Sequence, residues 1–183
     1  AHLLSKNYIG SVVGIRYVAS AAKNAGKDRI MVEFNPDAAE ALSDTDPLGE
    51  CIGGVSVSRL LGTTDYNMIN PQFNLTSGEY DTLNTYVGRL NTLLSDAQEC
   101  GQLALFYPIA TVQALHDADT GHTSETGTQS AAITLDDRFQ TICGNLLLSQ
   151  FMYTVIDDAS LREATVASDG CLCIGNGAYR AII

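Results

Sequence analysis

Short apolar runs bounded by proline or glycine alternate along this chain with amphipathic helical stripes, a pattern that folds as helices packed on a mostly parallel sheet. From about Gly10 to Ala25, the residues Val12, Val13, Tyr17, Ala21 and Ala22 recur at helical spacing, and Asn24-Ala25-Gly26 supplies a stop. Asp28 to Phe34 reads as a buried strand, cut off by Asn35-Pro36. A loop rich in Asp, Ser, Pro and Gly runs from Pro36 to Gly49. A short helix over Cys51 to Leu61, despite Gly53 and Gly54, and a strand from Tyr66 to Asn70 ended by Pro71 complete the first half.

The clearest helix spans Gly78 to Gln98, with Tyr80, Leu83, Val87, Leu90 and Leu94 on one stripe, Ser77 as its cap and Gly101 beyond its end. Gln102 to Tyr107 is a strongly apolar strand closed by Pro108, and a polar stretch from His116 to Gln129 follows. Leu135 to Met152 reads as a second amphipathic helix, with Asp136 and Asp137 in its first turn. Tyr153–Asp157, Ala164–Ala167, Cys171–Ile174 and Tyr179–Ile183 are short strands, the last of them running to the end of the chain as if interrupted. The boundary between halves falls between Pro71 and Gly78, or just after that helix near Gly101.

Charge narrows the function. The 183 residues carry 21 acidic and 10 basic side chains, a net charge of −11, so nucleic acid and anionic membrane surfaces are not expected partners. Residues 81–183 hold 12 acidic and 4 basic of these. No run approaches the roughly 20 apolar residues of a membrane helix, and the chain reads as soluble. Five cysteines at irregular spacing argue for reduced, mostly buried thiols, and Cys171-x-Cys173 lacks the second Cys or His pair of a zinc site. No cofactor is expected, and no spacing marks a calcium site.

Glu33 stands out because it interrupts an apolar strand, Ile30-Met31-Val32 and then Phe34, immediately before a proline-containing loop. The carboxyl end of a buried parallel strand is where α/β enzymes place reactive groups. Its plainer reading is a structural carboxylate, for instance one paired with Arg59. Glycoside hydrolysis needs two carboxylates, and no spacing here forces a second. His116 and His122 flank Asp117 and Asp119 in the polar stretch, but nothing fixes them on one face. Gly175-Asn176-Gly177 reads as a tight turn between strands, and Asn74-Leu75-Thr76 fits a glycosylation sequon.

Two stretches resemble a known family. Arg16-Tyr-Val-Ala-Ser-Ala-Ala-Lys-Asn-Ala-Gly-Lys-Asp-Arg-Ile-Met-Val-Glu33 is similar to the helix and penultimate barrel strand of large bacterial glycoside hydrolases of the α-L-rhamnosidase type, family 106 and relatives. Ser20-Ala21-Ala22, Gly26-Lys27, Arg29 and Glu33 match, while Val32 replaces the usual serine. Tyr86-Val-Gly-Arg89-Leu, Leu103-Ala-Leu-Phe-Tyr-Pro-Ile109, Phe139, Leu146-Leu147, Gln150, Ile156-Asp157, Leu161 and Tyr179-Arg-Ala-Ile-Ile183 resemble the region after the barrel. The resemblance implies an α/β chain that is an internal slice of a longer protein. Residues 1–77 would be the last βα units of a (β/α)8-type barrel, 78–100 a linking helix, and 101–183 part of a flavodoxin-like accessory domain, amidotransferase-like but without that chemistry.

The implied substrate is a carbohydrate, with Glu33 as a catalytic carboxylate and its partner on a strand outside the chain, so that the slice alone is inactive. A non-catalytic α/β module for oligomer contacts or ligand binding is the alternative. Exposed apolar strand edges also imply a homo-oligomer.

Overall fold

The computed structural model describes residues 6–33, 46–67, 75–97, 99–116 and 131–183. In chain order its elements are α1 (Lys6–Asn24), β1 (Met31–Glu33), α2 (Pro47–Leu60), β2 (Asp65–Asn67), α3 (Ser77–Leu93), β3 (Leu103–Phe106) and α4 (Ile109–Leu115). There follow α5 (Ala131–Leu148), β4 (Tyr153–Ile156), α6 (Asp158–Glu163), β5 (Thr165–Val166), β6 (Leu172–Ile174), β7 (Gly177–Tyr179) and β8 (Ala181–Ile182). The fold is mixed α/β, predominantly helical with small sheets, and among the described residues the sheets do not close into a barrel. Two compact units are formed: residues 28–99, here the middle unit, and residues 1–27 with 100–183, here the outer unit. The expected division into 1–77, 78–100 and 101–183 follows chain order, and the compact units group α1 with the C-terminal segment.

The middle unit is one βαβ element with a helix added. β1 and β2 pair in parallel, Met31 opposite Asp65 and Glu33 opposite Asn67, with α2 as the crossover. Asp46 caps α2 by accepting from Gly49 N at 2.9 Å, and Pro47 fits the first turn, where its missing N–H costs nothing. Cys51, Val55 and Leu83 form the buried contact between α2 and α3. Each such side chain, fully buried, stabilises the unit by about 1.5–3 kcal/mol where it is aliphatic. The cap of α3 is Thr76 rather than Ser77. Thr76 N donates to Glu79 Oε2 at 2.7 Å and Glu79 N to Thr76 Oγ1 at 3.4 Å, a reciprocal box that Ser77, three residues from Tyr80, cannot make.

The outer unit is built on a parallel sheet of order β4-β3-β8, Leu103 lying opposite both Tyr153 and Ala181. Alternation along β3 sorts its two faces: Leu103 and Leu105 pack with Val13, Phe139, Cys143 and Tyr153 under α1 and α5, while Ala104 and Phe106 pack with Ile156, Ile174 and Tyr179. The second face is thus covered by the antiparallel β5-β6-β7 ribbon rather than by a helix alone. The expected strand Tyr179–Ile183 is two strands: Tyr179 pairs antiparallel with Leu172, and after Arg180 the chain joins β3 in parallel. The second amphipathic helix begins at Ala131, not Leu135, which puts Asp136 and Asp137 in its second turn.

Helix α1 seals the free edge of β4. Arg16, Ser20 and Asn24, spaced four residues apart, form one polar row on it. The Arg16 guanidinium donates to Tyr153 O, Ser20 Oγ accepts from Val155 N at 2.9 Å, and Asn24 Nδ2 donates to Val155 O at 2.9 Å. Side chains here do what a neighbouring strand does elsewhere, covering this edge of β4.

Candidate functional site

Glu33 is the last residue of β1, at the carboxyl end of the parallel pair and opposite Asn67; its side chain lies outside the described residues. The amino end of the pair is locked. Ile30 N donates to Thr64 Oγ1 at 2.8 Å, and Thr64 N and Asp65 N both donate to Ile30 O, at 2.9 and 3.0 Å. Arg29 forms an exposed ion pair with Asp65, whose carboxyl this guanidinium, with Thr64 Oγ1 at 2.6 Å, holds below the usual range. Arg59 Nη1 donates to Thr63 O at 2.7 Å and its Nη2 to Leu94 O at 3.0 Å. It therefore ties the turn after α2 to the C-terminal end of α3, where carbonyls carry the negative end of the helix dipole.

In the outer unit a buried polar row crosses the helical face of the sheet. Cys143 of α5 lies among the phenols of Tyr17 and Tyr153, and the Arg16 guanidinium sits 5.8 Å from the Tyr153 ring centre. Burial, then the Cys143 neighbour, pushes both phenols up, and burial pushes the Cys143 thiol up. All three stay neutral at physiological pH, so the thiol is no nucleophile and the row acts as packing.

The carboxyl ends of β3 and β4 are where open α/β sheets bind ligands. Tyr107 donates to Asp136 Oδ1 at 2.9 Å, Ala110 N to Asp158 Oδ2 at 3.4 Å, and Ser160 N to Asp157 Oδ1 at 2.7 Å. Burial, then Asp136, pushes the Tyr107 phenol up to about 12. Asp158 and Asp157 already accept from the N–H groups at the starts of α4 and α6, as carboxylates do at the positive end of a helix. At the other end of the strands lies a groove of about 700 Å³, lined by Leu103, Leu146, Phe151, Met152, Arg180 and Ile183. Gln150 beside it holds φ at +63°, a left-handed backbone that only a few non-glycine residues adopt.

The remaining candidates stay apart. His116 is exposed after α4, while His122, Asp117, Asp119 and Asn74 lie outside the described residues. Among the described residues no three His, Cys, Asp or Glu side chains converge as a metal site, and all five cysteines are free thiols. Cys171 Sγ donates to Asp169 Oδ2 at 3.2 Å. Gly175 and Asn176 form the expected turn, between β6 and β7. No family model, curated protein or solved structure matches this chain. The polar row Arg16, Ser20 and Asn24 was legible as four-residue spacing on a helix but not as a site, because its partners lie some 130 residues away.

Proposed function

We propose that the chain is part of a carbohydrate-active enzyme, a glycoside hydrolase, in which Glu33 is one of the two reacting carboxylates. The observation that supports this is its place as the closing residue of β1 in a parallel βαβ element, beside Asn67 at the carboxyl end of β2. The second carboxylate, about 5–10 Å away across the scissile bond, comes from another strand of the longer protein. One carboxylate cannot both protonate the leaving oxygen and act on the opposite face of the sugar, so the 183-residue chain is inactive alone. The barrel and flavodoxin-like assignments belong to the same proposal. Incubated with aryl glycosides, the chain is expected to release no phenol. Release that disappears in Glu33→Gln overturns the inactivity, and release that survives it removes Glu33 from the chemistry.

The second reading, a binding or oligomer-contact module, has an observation of its own in the groove at the amino ends of β3 and β4. Phe151 and Ile183 in its lining are each more than half exposed, beside the β8 edge. Self-association is part of either reading. Light scattering that finds a monomer at every concentration contradicts it.

A further inference from the structure

We infer that Asn176 is a site of spontaneous deamidation whose product loosens the last turn of helix α1 from the rest of the outer unit. The reaction needs an asparagine side chain in water and a following residue small enough to let its backbone nitrogen approach. Of all the asparagines in the chain, only Asn176 is followed by glycine. It is exposed, in the two-residue turn that joins β6 to β7. Gly175 opens that turn with φ at +51°, the conformation that the first residue of such tight hairpin turns requires.

The chemistry balances without an outside oxidant or catalyst. The Gly177 nitrogen attacks Asn176 Cγ; the N–Cγ bond forms as the Cγ–Nδ2 bond breaks, and ammonia leaves with the proton that Gly177 nitrogen gave up. Water then adds across one carbonyl of the five-membered imide. Opening on one side gives aspartate, and on the other isoaspartate, with an extra methylene in the backbone. Gly177 is the residue opposite Ile174 that closes the β6–β7 ladder, so ring closure follows fraying of this terminal pair. The folded chain is therefore slower to react than the free peptide, and faster at Asn176 than at any other asparagine.

The structure ties this turn to α1. Asn176 N donates to Lys23 O at 3.1 Å, and a side chain at Gly175 would collide with the carbonyl groups of Lys23 and Asn24. The Lys23 ammonium lies 5.5 Å from the centre of the Tyr179 ring, and Asn24 is the residue that holds Val155 O. Either product puts a carboxylate against the negative end of α1, and isoaspartate also lengthens the turn whose fit to Lys23 and Asn24 is close.

Trypsin releases Glu163–Arg180, which contains Asn176 and no other asparagine. After incubation of the folded chain at mildly alkaline pH, this peptide is expected to gain the mass difference between a hydroxyl and an amino group, while the other asparagine peptides do not. Isomerisation at Asp169-Gly170, in the same peptide, leaves mass unchanged and does not interfere. Asn176→Gln abolishes the gain. Asn176→Asp is expected to lower Tm by about 2–5 °C. If that variant does not fold, the aged native chain, separated by ion exchange, gives the same comparison. No mass gain in Glu163–Arg180, or an aged chain that melts with the fresh one, overturns the inference.

Discussion

Ser20 shows how one hydroxyl can hold an element in place. It donates to Arg16 O at 2.6 Å inside α1 and accepts from Val155 N of β4; Ser20 and Arg16 are buried and Val155 is half-buried. Ser20→Ala removes the partner of the half-buried Val155 N–H and is expected to cost about 0.5–1.5 kcal/mol, read from denaturant unfolding. Single groups also set the response to pH. Asp65, Glu79, Asp157 and Asp169 are held below the carboxylate range by Arg29, Thr76, Ser160 and Cys171 N in turn. A depressed carboxyl favours the fold above its ordinary pKa, and that contribution is lost as pH falls through the depressed value. Tm is therefore expected to hold from neutrality to roughly pH 4–5 and to fall below it. On the alkaline side, burial pushes the Cys51 thiol up to about 11, from an ordinary 9.0, so stability declines as pH rises from the lower value toward the higher. A Tm that rises on acidification contradicts this assignment.

At the scale of elements, helices and strands that carry a full stripe were legible. Leu83 and Leu90 on α3, Phe139 and Cys143 on α5, and Leu105 in β3 meet the core that their spacing announces. α4 and α6 were not, because seven and six residues are too few for a stripe to be counted. The split at Arg180 was hidden for a related reason: Tyr179 to Ile183 is one apolar run, and only tertiary pairing assigns its two ends to different sheets. Glu33 was legible as a strand-end residue, since the strand was; its register against Asn67 was not, nor its chemistry, because pairing and a second carboxylate are set by folding and not by spacing. Propensity is testable within α3. An added Cβ at Gly88 meets nothing within 4 Å, so Gly88→Ala is expected to stabilise the chain by about 0.5–1 kcal/mol, seen as a higher denaturant midpoint at unchanged slope. A lower midpoint would mean that this face of α3 is covered.

For the whole molecule, the two compact units divide the account. The middle unit carries the enzymatic reading through Glu33, and the outer unit supplies a parallel sheet with one edge closed by α1 and a groove at its amino ends. Neither unit holds a converging metal cluster among the described residues, and only the enzymatic reading calls on carboxylate chemistry. Their separation hinges on whether Glu33 has a partner carboxylate. The reading frame on either side of this segment answers that most directly: the hydrolase account predicts that it continues upstream into further βα units with another strand-end carboxylate. A start codon and a stop codon bracketing these 183 residues would contradict it and leave a self-standing module.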